Sequence, residues 1–452
     1  MHKVDLKFKV YTIFKCLIVS LCIVSAIVFS LSAHPVQDDY SLLADVSELG
    51  LFGYSELVWN THGGNLTPIF LNFLAASSSI NAFNFLSFSI FSLVTITCVF
   101  IAILYFLNIL SSKEVSINSR LKFALCAGTI LGFEGLFSPG LIGAYHFTSA
   151  SAVHLWPILL TFAAYFIVMS NSRMYPVILV SGFLAGNSNV SESLAILLLL
   201  LFIFFFPKRL DVTVPRAKLV VLFSGVFLGT LAIVASPGFW FRATEKTSQG
   251  LPSSPIDVTG RFVRSLSAFS VEVFTHPTFY IFLAAGVILA KSTNKFSENR
   301  MRWNFVEVFF WLLFASLTLG ATFAYPAWHQ SLGLLFLLPF FSFLLGIRLS
   351  RFIHRRHLLW IQFFQLFMVA LLVISVTRAN ILVWNSGRDW RDSNVVNICS
   401  LRVDPSASTS NPEIHYPPFS LGIEGSQSWP WIRDSYVRWL SSVPSAKTID
   451  CD

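Results

Sequence analysis

Apolar runs of about 20 residues recur along most of the chain, and they constrain its fold more than any other feature. A run of this length is what an α-helix needs to cross the hydrocarbon core of a bilayer. The composition agrees, because 55% of the 452 residues are hydrophobic and only 12% are charged, less charge than the surface of a soluble domain carries. We therefore predict an all-α, polytopic transmembrane helical bundle.

The apolar runs divide into about eleven predicted spans, which form a transmembrane domain over 1–378. The spans are 11–33, 84–110, 122–138, 154–170, 175–187, 193–207, 217–236, 270–290, 304–323, 329–347 and 358–377. The first run is longer than the ~7–15 residues of a cleavable signal, so we expect an uncleaved anchor. Segment 66–83 is apolar but interrupted, and we predict an interfacial helix there.

Lysine and arginine recur in the loops on one side of these spans and are absent from the short loops on the other side, which sets the predicted orientation. The loops 34–66, 139–152 and 188–192 contain neither residue. The positive-inside rule then predicts a multi-pass protein of the cell membrane with a cytoplasmic amino terminus and a short extracytoplasmic tail at 379–452. The net charge is +8, but no basic patch lies outside the membrane-flanking loops, which argues against nucleic acid as a partner.

Polar side chains that are unusual in a membrane protein gather on the predicted outer side. They are Asp38, Asp39, Asp45, Glu48, Glu134, His146, His154, Glu192, Arg242, Arg261, Arg264 and His329. A carboxylate inside an apolar span costs roughly 2–3 kcal/mol, so Glu134 favours a function. Structural alternatives stay open for the others: acidic residues cap helix starts, and arginine extends to lipid headgroups.

Together these residues suit chemistry on a lipid-linked phosphate. Arg242, with Arg261 or His329 as helpers, would supply the cations that bind the phosphate. Asp38 or Asp39 would take the proton from an acceptor hydroxyl. Alternatively, the two neighbouring carboxylates would hold a divalent cation, which takes oxygen ligands.

Four short segments resemble the GT-C superfamily of membrane glycosyltransferases, and more closely a group of bacterial GT-C-like proteins. They are "DDY", "LVWNTHGGNLTPIFLNF", "LAGNSNVSESLAI" and "SPGFWFR". The resemblance covers 1–270; the last third is similar only in hydropathy. It implies a GT-C-like bundle that transfers a sugar from a polyprenyl-phosphate donor to a glycan or lipid acceptor on the outer face.

The resemblance also implies roles for individual residues. Asp38 or Asp39 corresponds to the catalytic base, and Arg242 to a donor-phosphate ligand. We further expect Glu134 and Glu192 to bind sugar or acceptor hydroxyls. Thr61 and His62 stand where the proteins of this resemblance more often have Gly-Arg, which makes His62 a candidate substitute in donor binding.

Two other classes of protein fit the same pattern: a lipid or polysaccharide transporter or flippase, and a non-catalytic envelope assembly protein. Polar residues clustered at the outer rim favour an enzyme, whereas a polar path through the middle of the bundle favours transport. In the outer tail, Cys399 and Cys451 either form a disulfide or remain two free thiols.

Overall fold

A computed structural model of the chain is helical throughout the part that it describes. It describes residues 38–77, 90–98, 151–169, 174–210, 214–246, 252–292, 305–323 and 331–350, with isolated residues elsewhere. Of these described residues 93% are helical and none lies in a strand, which confirms the all-α class. Within these described ranges, three helical stretches are long and apolar enough to cross a membrane: Ser151–Val168, Arg216–Ala235 and Phe305–Phe323.

The described part of the chain contains twelve delimited α-helices and two short π-helical segments, besides helical residues at 90–98 and at isolated positions. The α-helices are α1 (Asp38–Thr61), α2 (Leu66–Ser77), α3 (Trp156–Met169), α4 (Tyr175–Gly186), α5 (Val190–Phe205), α6 (Pro207–Leu210), α7 (Arg216–Ala235), α8 (Pro237–Phe241), α9 (Pro255–Thr275), α10 (Pro277–Ser292), α11 (Phe305–Phe323) and α12 (Ser331–Leu349). The π-helical segments are π1 (Ser151–Leu155), which leads into α3, and π2 (Arg242–Lys246), which follows α8.

Six of the predicted spans coincide with helices to within a few residues. These are the spans that became α3, α4, α5, α7, α11 and α12. The spans at 122–138 and 358–377 fall wholly or largely outside the described residues, and those at 11–33 and 84–110 are described only in part. The count of eleven and the GT-C-like arrangement stay predictions.

The predicted span at 270–290 differs from the structure, which has two helices around it. Helix α9 ends at Thr275 and α10 begins at Pro277, because the residue before a proline is driven out of the helical region. His276 accordingly has extended backbone angles. Helix α9 begins at a Ser254 cap, whose hydroxyl accepts a hydrogen bond from the Asp257 N–H at 3.2 Å. A search for uniformly apolar runs misses α9, since only one side of it is apolar.

The chain divides into two compact units. Unit 1 contains 1–48, 74–148 and 364–452, and unit 2 contains 49–73 and 149–363. Helix α1 passes from one unit to the other, and Gly50 interrupts it there with a φ of 66°, a left-handed conformation that glycine adopts without a steric penalty. The predicted division at 378 concerns membrane topology and stays a prediction.

In unit 2, helices α4 and α7 pack backbone to backbone through glycines. A Cβ added to Gly186 would overlap the Val226 carbonyl, and one added to Gly229 would overlap the Phe183 carbonyl. Each helix carries the small-xxx-small spacing, as "GFLAG" and "GVFLG", which permits such close approach in membrane proteins. The close contact fixes the position of the turn that follows α4.

In unit 1, the C-terminal region packs on the first part of α1. The Trp439 and Tyr40 rings lie 5.5 Å apart between centroids, and both side chains are buried. Arg438 forms ion pairs with Asp45 and Glu48. Cys399 is disulfide-bonded, so it is not the free thiol of the alternative prediction, and Cys451 lies outside the described residues.

Candidate functional site

Three helix starts meet at one end of the unit 2 bundle, around the side chain of Glu192. Glu192 lies in the first turn of α5, and His154 lies in π1 at the start of α3. Glu192 Oε1 is 3.3 Å from His154 Nδ1. A Cβ added to Gly333, in the first turn of α12, would lie 3.3 Å from the same oxygen. We call Glu192, His154 and Gly333 the rim site.

Local sequence explains how Glu192 comes to point into the bundle. The side chain of Asn189 caps α5 by accepting a hydrogen bond from the Ser191 N–H at 3.0 Å. Asn189 therefore takes the capping role that was one of the alternatives for Glu192. Glu192 follows three residues later, on the side of α5 that is buried.

Glu192 is completely buried, and its two oxygens differ in their partners. Oε1 faces His154, whose side chain is 15% exposed. Oε2 has no hydrogen-bond partner among the described residues. A buried polar atom without a partner costs about 1–3 kcal/mol, and such atoms are rare in native proteins. The arrangement therefore suits a ligand that brings a hydroxyl or another donor to Oε2.

A second cluster lies at the turn between α4 and α5, where Asn187 is buried and well bonded. Its Oδ1 accepts the Thr67 N–H at 3.1 Å. Its Nδ2 donates to the Gly64 carbonyl at 2.9 Å and to the Gly229 carbonyl at 3.0 Å. Asn187 thus joins the start of α2 and the turn before it to the α4–α7 pair.

Three of the four segments that carry the GT-C resemblance meet around this cluster. The "SPGFWFR" segment approaches "WNTHGGN" so closely that a Cβ on Gly238 would lie 2.6 Å from the Gly63 amide nitrogen. A Cβ on Gly64 would lie 3.0 Å from Ser236 Cβ. Asn187 supplies the third segment, "LAGNSN". We call this contact of the three segments the motif junction.

The predicted donor-binding residues His62 and Arg242 belong to segments of the motif junction. His62 is exposed, and its Nδ1 lies 2.6 Å from the Thr61 hydroxyl oxygen. Arg242 is half-buried and begins π2 directly after α8. Both π segments therefore carry a residue singled out from the sequence, and π-helical turns are frequent at functional sites.

Arg261, the predicted helper for phosphate binding, has a carboxylate partner. Its Nε and Nη2 donate to the two carboxylate oxygens of Asp257 at 3.0 and 2.9 Å. Hydrogen bonding from Arg261 holds the pKa of Asp257 below its usual value. Arg264, one turn further along α9, is exposed. The charge of Arg261 is thus already balanced, which leaves it less able than an unpaired arginine to attract a phosphate.

Asp38 and Asp39 begin α1, in unit 1. The side chain of Asp39 is completely buried. The start of a helix favours negative charge because the peptide dipoles align there. Glu134, His146 and His329 lie outside the described residues.

No group of three or more histidine, cysteine, aspartate or glutamate residues in the described part of the chain could hold a metal ion. The divalent cation considered for Asp38 and Asp39 stays a prediction. Glu192 and His154 supply one carboxylate and one imidazole, which suit hydrogen bonding and proton exchange with a hydroxyl.

Comparison with family models, curated proteins and solved structures finds no match to this chain. The predicted relation to GT-C glycosyltransferases therefore rests on the four sequence segments and stays a prediction. The sequence alone did not indicate the pairing of Glu192 with His154 or the central place of Asn187. The two small-xxx-small motifs carry a signal for the α4–α7 contact, since they predict that the backbones approach closely.

Proposed function

We propose that the protein is a membrane glycosyltransferase that moves a sugar from a polyprenyl-phosphate donor to a cell-envelope acceptor on the outer face. The observation that carries this proposal is the position of the rim site. Its buried carboxylate, one oxygen of which has no hydrogen-bond partner in the part of the chain that the structure describes, lies at helix starts rather than in the middle of the bundle. The nature of the substrate comes from the GT-C resemblance.

The interior of the described bundle supports an enzyme over a transporter. A cavity of about 10 Å³ lies among α3, α4, α5, α7 and α11 and is lined mainly by aliphatic side chains, a volume that barely admits one water. One of its two hydroxyl side chains, Thr161, donates to the Pro157 carbonyl of its own helix. The mid-helix positions of these five helices hold no Asp, Glu, Lys, Arg or His, whereas transported polar groups need polar partners at that depth.

Contacts at the helix ends support the proposed topology. The rim site joins three helix starts, at 151, 190 and 331, which the charge pattern assigns to the outer side. The Lys218 ammonium donates to the Val168 carbonyl at 3.3 Å, and both residues belong to predicted inner ends. This agreement supports a multi-pass protein of the cell membrane with its amino terminus in the cytoplasm.

In the proposed reaction, an acceptor hydroxyl attacks the anomeric carbon of the donor sugar. Asp38 or Asp39 takes the hydroxyl proton, a role that comes from the resemblance of the "DDY" segment. The new glycosidic C–O bond forms as the bond from the anomeric carbon to the phosphate oxygen breaks, and polyprenyl phosphate leaves with the electron pair. Arg242 and His62 at the motif junction bind that phosphate. Membrane lipids are the remaining proposed partners of the bundle.

Three further residues have proposed roles in substrate binding. Oε2 of Glu192 accepts a hydrogen bond from a sugar or acceptor hydroxyl, with His154 holding the other oxygen. Glu134 is proposed to bind a second hydroxyl and His329 the donor phosphate. Arg261 would serve as a phosphate helper only by exchanging its Asp257 partner for the substrate.

The test uses the full chain reconstituted in lipid with polyprenyl-phosphate sugars carrying radiolabelled hexose or pentose and a cell-envelope extract. We expect wild type to release polyprenyl phosphate and Asp38→Asn/Asp39→Asn to release about 100-fold less, because a lost general base costs 10²–10⁴ in rate. Glu56→Gln, which neutralises an exposed carboxylate of the same helix, is the matched control. Absence of release by wild type with every donor would overturn the proposed function.

A further inference from the structure

Arg438 and Trp439 of the C-terminal region contact the first part of α1, which begins with the proposed base. The described residues in this part of the C-terminal region are Ser435, Arg438 and Trp439, all helical. Trp439 is 2% exposed and Tyr40 is fully buried, and their rings are tilted by 46° to one another with centroids 5.5 Å apart. A buried tryptophan contributes more contact area than almost any other side chain. This contact therefore anchors the residue that directly follows Asp39.

Arg438 adds a polar contact to the same part of α1. It pairs with Asp45, and its Nε lies 3.3 Å from Glu48 Oε1. Residues three apart in a helix share a face, so one guanidinium engages both carboxylates at once. Burial raises the pKa of Asp45 above its ordinary value, although Arg438 acts in the opposite direction. The planar guanidinium suits such two-sided pairing better than a lysine ammonium.

The ring contact and the ion pair hold α1 at two points that are more than one helical turn apart. Trp439 holds Tyr40, two residues from the start of α1, and Arg438 holds Asp45, about one and a half turns later. Asp39 lies between the helix start and the Tyr40 anchor and is itself buried. A helix that is held at two points cannot rotate or fray at its first turn without breaking one of them, and first turns otherwise fray readily.

We infer that Arg438 and Trp439 are positioning residues, which hold the first turn of α1 so that Asp39 keeps the geometry needed to accept a proton. The described residues Arg438 and Trp439 then contribute to the reaction by holding the proposed base in place. For its activity readout the inference rests on the proposed function. A displacement of about 1 Å at a catalytic group costs as much as 10²-fold in rate, so loosening this turn has a measurable effect.

Two readouts on the reconstituted full chain test the inference. The first is hydrogen exchange of the amides of 38–48, which needs no substrate. The second is the transfer assay with kcat and KM for the polyprenyl-phosphate sugar determined separately. The variants are Arg438→Ala, Arg438→Lys and Trp439→Phe, and the control is Arg388→Ala, which removes an arginine of the same region whose side chain is 66% exposed.

We expect Arg438→Ala to speed exchange in 38–48 and to lower kcat about tenfold with an unchanged KM for the donor, since the base is displaced while the donor site is intact. Arg438→Lys should have a higher kcat than Arg438→Ala but a lower one than wild type, because lysine keeps the positive charge but lacks the planar guanidinium that pairs with two carboxylates. Trp439→Phe keeps an aromatic ring beside Tyr40, so its effects on hydrogen exchange in 38–48 and on kcat should be smaller than those of removing the ring. Arg388→Ala should match wild type in both readouts.

If the amides of 38–48 exchanged hydrogen at the wild-type rate in both Arg438→Ala and Trp439→Phe, the proposal that these residues hold the first turn of α1 would be overturned. Faster exchange with unchanged kcat would overturn the positioning role and leave the glycosyltransferase proposal standing. Failure of wild type to transfer any sugar would instead count against the proposed function, and the exchange readout would then decide whether the C-terminal region holds α1.

Discussion

The two ends of the unit 2 bundle treat buried charge in opposite ways. At the end predicted to face the cytoplasm, Glu307 is buried and pairs with Arg348 at 2.5 Å, and Lys218 donates to a helix-end carbonyl. At the other end, Glu192 is buried beside His154, and its Oε2 lacks a partner among the described residues. Removing a carboxylate from water is costly at both ends, but only Glu307 is paired with an arginine.

This difference separates a structural carboxylate from a candidate functional one. A carboxylate whose partners are complete adds to the fold and has no capacity left for a ligand. An incompletely bonded buried carboxylate lowers stability, and such groups persist where function requires them. The bundle end that carries the rim site also contains a buried polar side chain whose hydrogen bonds are complete. This side chain is Asn187, which makes three hydrogen bonds while fully buried.

The largest effect on stability should come from Asn187→Ala. The change removes three hydrogen bonds and takes from the Thr67 N–H its side-chain acceptor, while the Gly64 carbonyl keeps the Leu66 N–H as a donor. Since a hydrogen bond contributes about 0.5–1.5 kcal/mol and a buried donor left unpaired costs about 1–3 kcal/mol, we expect a loss of about 3 kcal/mol in the free energy of unfolding. Denaturant titration in detergent micelles measures it.

The matched control for that change is Asn189→Ala, two residues further on. It removes one N-cap hydrogen bond, so it should cost about 1 kcal/mol. Equal losses of unfolding free energy in the two variants would show that Asn187 is not the main structural residue at the bundle end that carries the rim site.

Arg348→Met should come next, with a loss of about 3 kcal/mol, because it leaves the Glu307 carboxylate buried without its cation. The double variant Arg348→Met/Glu307→Gln should recover most of that loss, since no charge then remains unpaired. The same micelle titration serves for both. A double variant as unstable as the single one would mean that the pair acts through packing rather than charge.

A smaller effect should appear in the acid range at the start of α9. Arg261 lowers the pKa of Asp257, so this pair stabilises the folded protein above the ordinary aspartate pKa and loses that contribution as pH falls through the lowered value. We expect Asp257→Asn to have a lower melting temperature than wild type at neutral pH. The difference should shrink as the solution is acidified; a constant difference would contradict the linkage.

Hydropathy and charge placement were sufficient to predict the all-α class and the positions of α3, α4, α5, α7, α11 and α12. They failed at α9, because an amphipathic helix has no uniformly apolar run. Glu192 and Arg242 were singled out from the sequence as unusual residues, but their surroundings depend on contacts between helices. The α4–α7 contact that places Asn187 arises from glycine spacing, a pattern that hydropathy does not measure.

Residues far apart in sequence were harder still to connect. The pairing of Glu192 with His154 spans 38 positions, and that of Arg438 with Asp45 spans 393. Single-residue arguments give each of these side chains a solvated or capping role, since none carries a local signal of its partner. Only the packed fold distinguishes a carboxylate with complete partners from one without.

The most direct test of the contrast between the two ends compares Glu192→Gln with Glu307→Gln in one preparation of reconstituted protein. For each variant, the rate of polyprenyl-phosphate release per folded molecule and the free energy of unfolding are measured together. We predict that Glu192→Gln lowers the rate at least about tenfold, the value of one hydrogen bond to a charged group, and changes the stability by less than about 1 kcal/mol. Glu307→Gln should lose stability and keep its rate. The reverse pattern, with a stable and inactive Glu307→Gln beside an unstable and active Glu192→Gln, would contradict the assignment of the rim site.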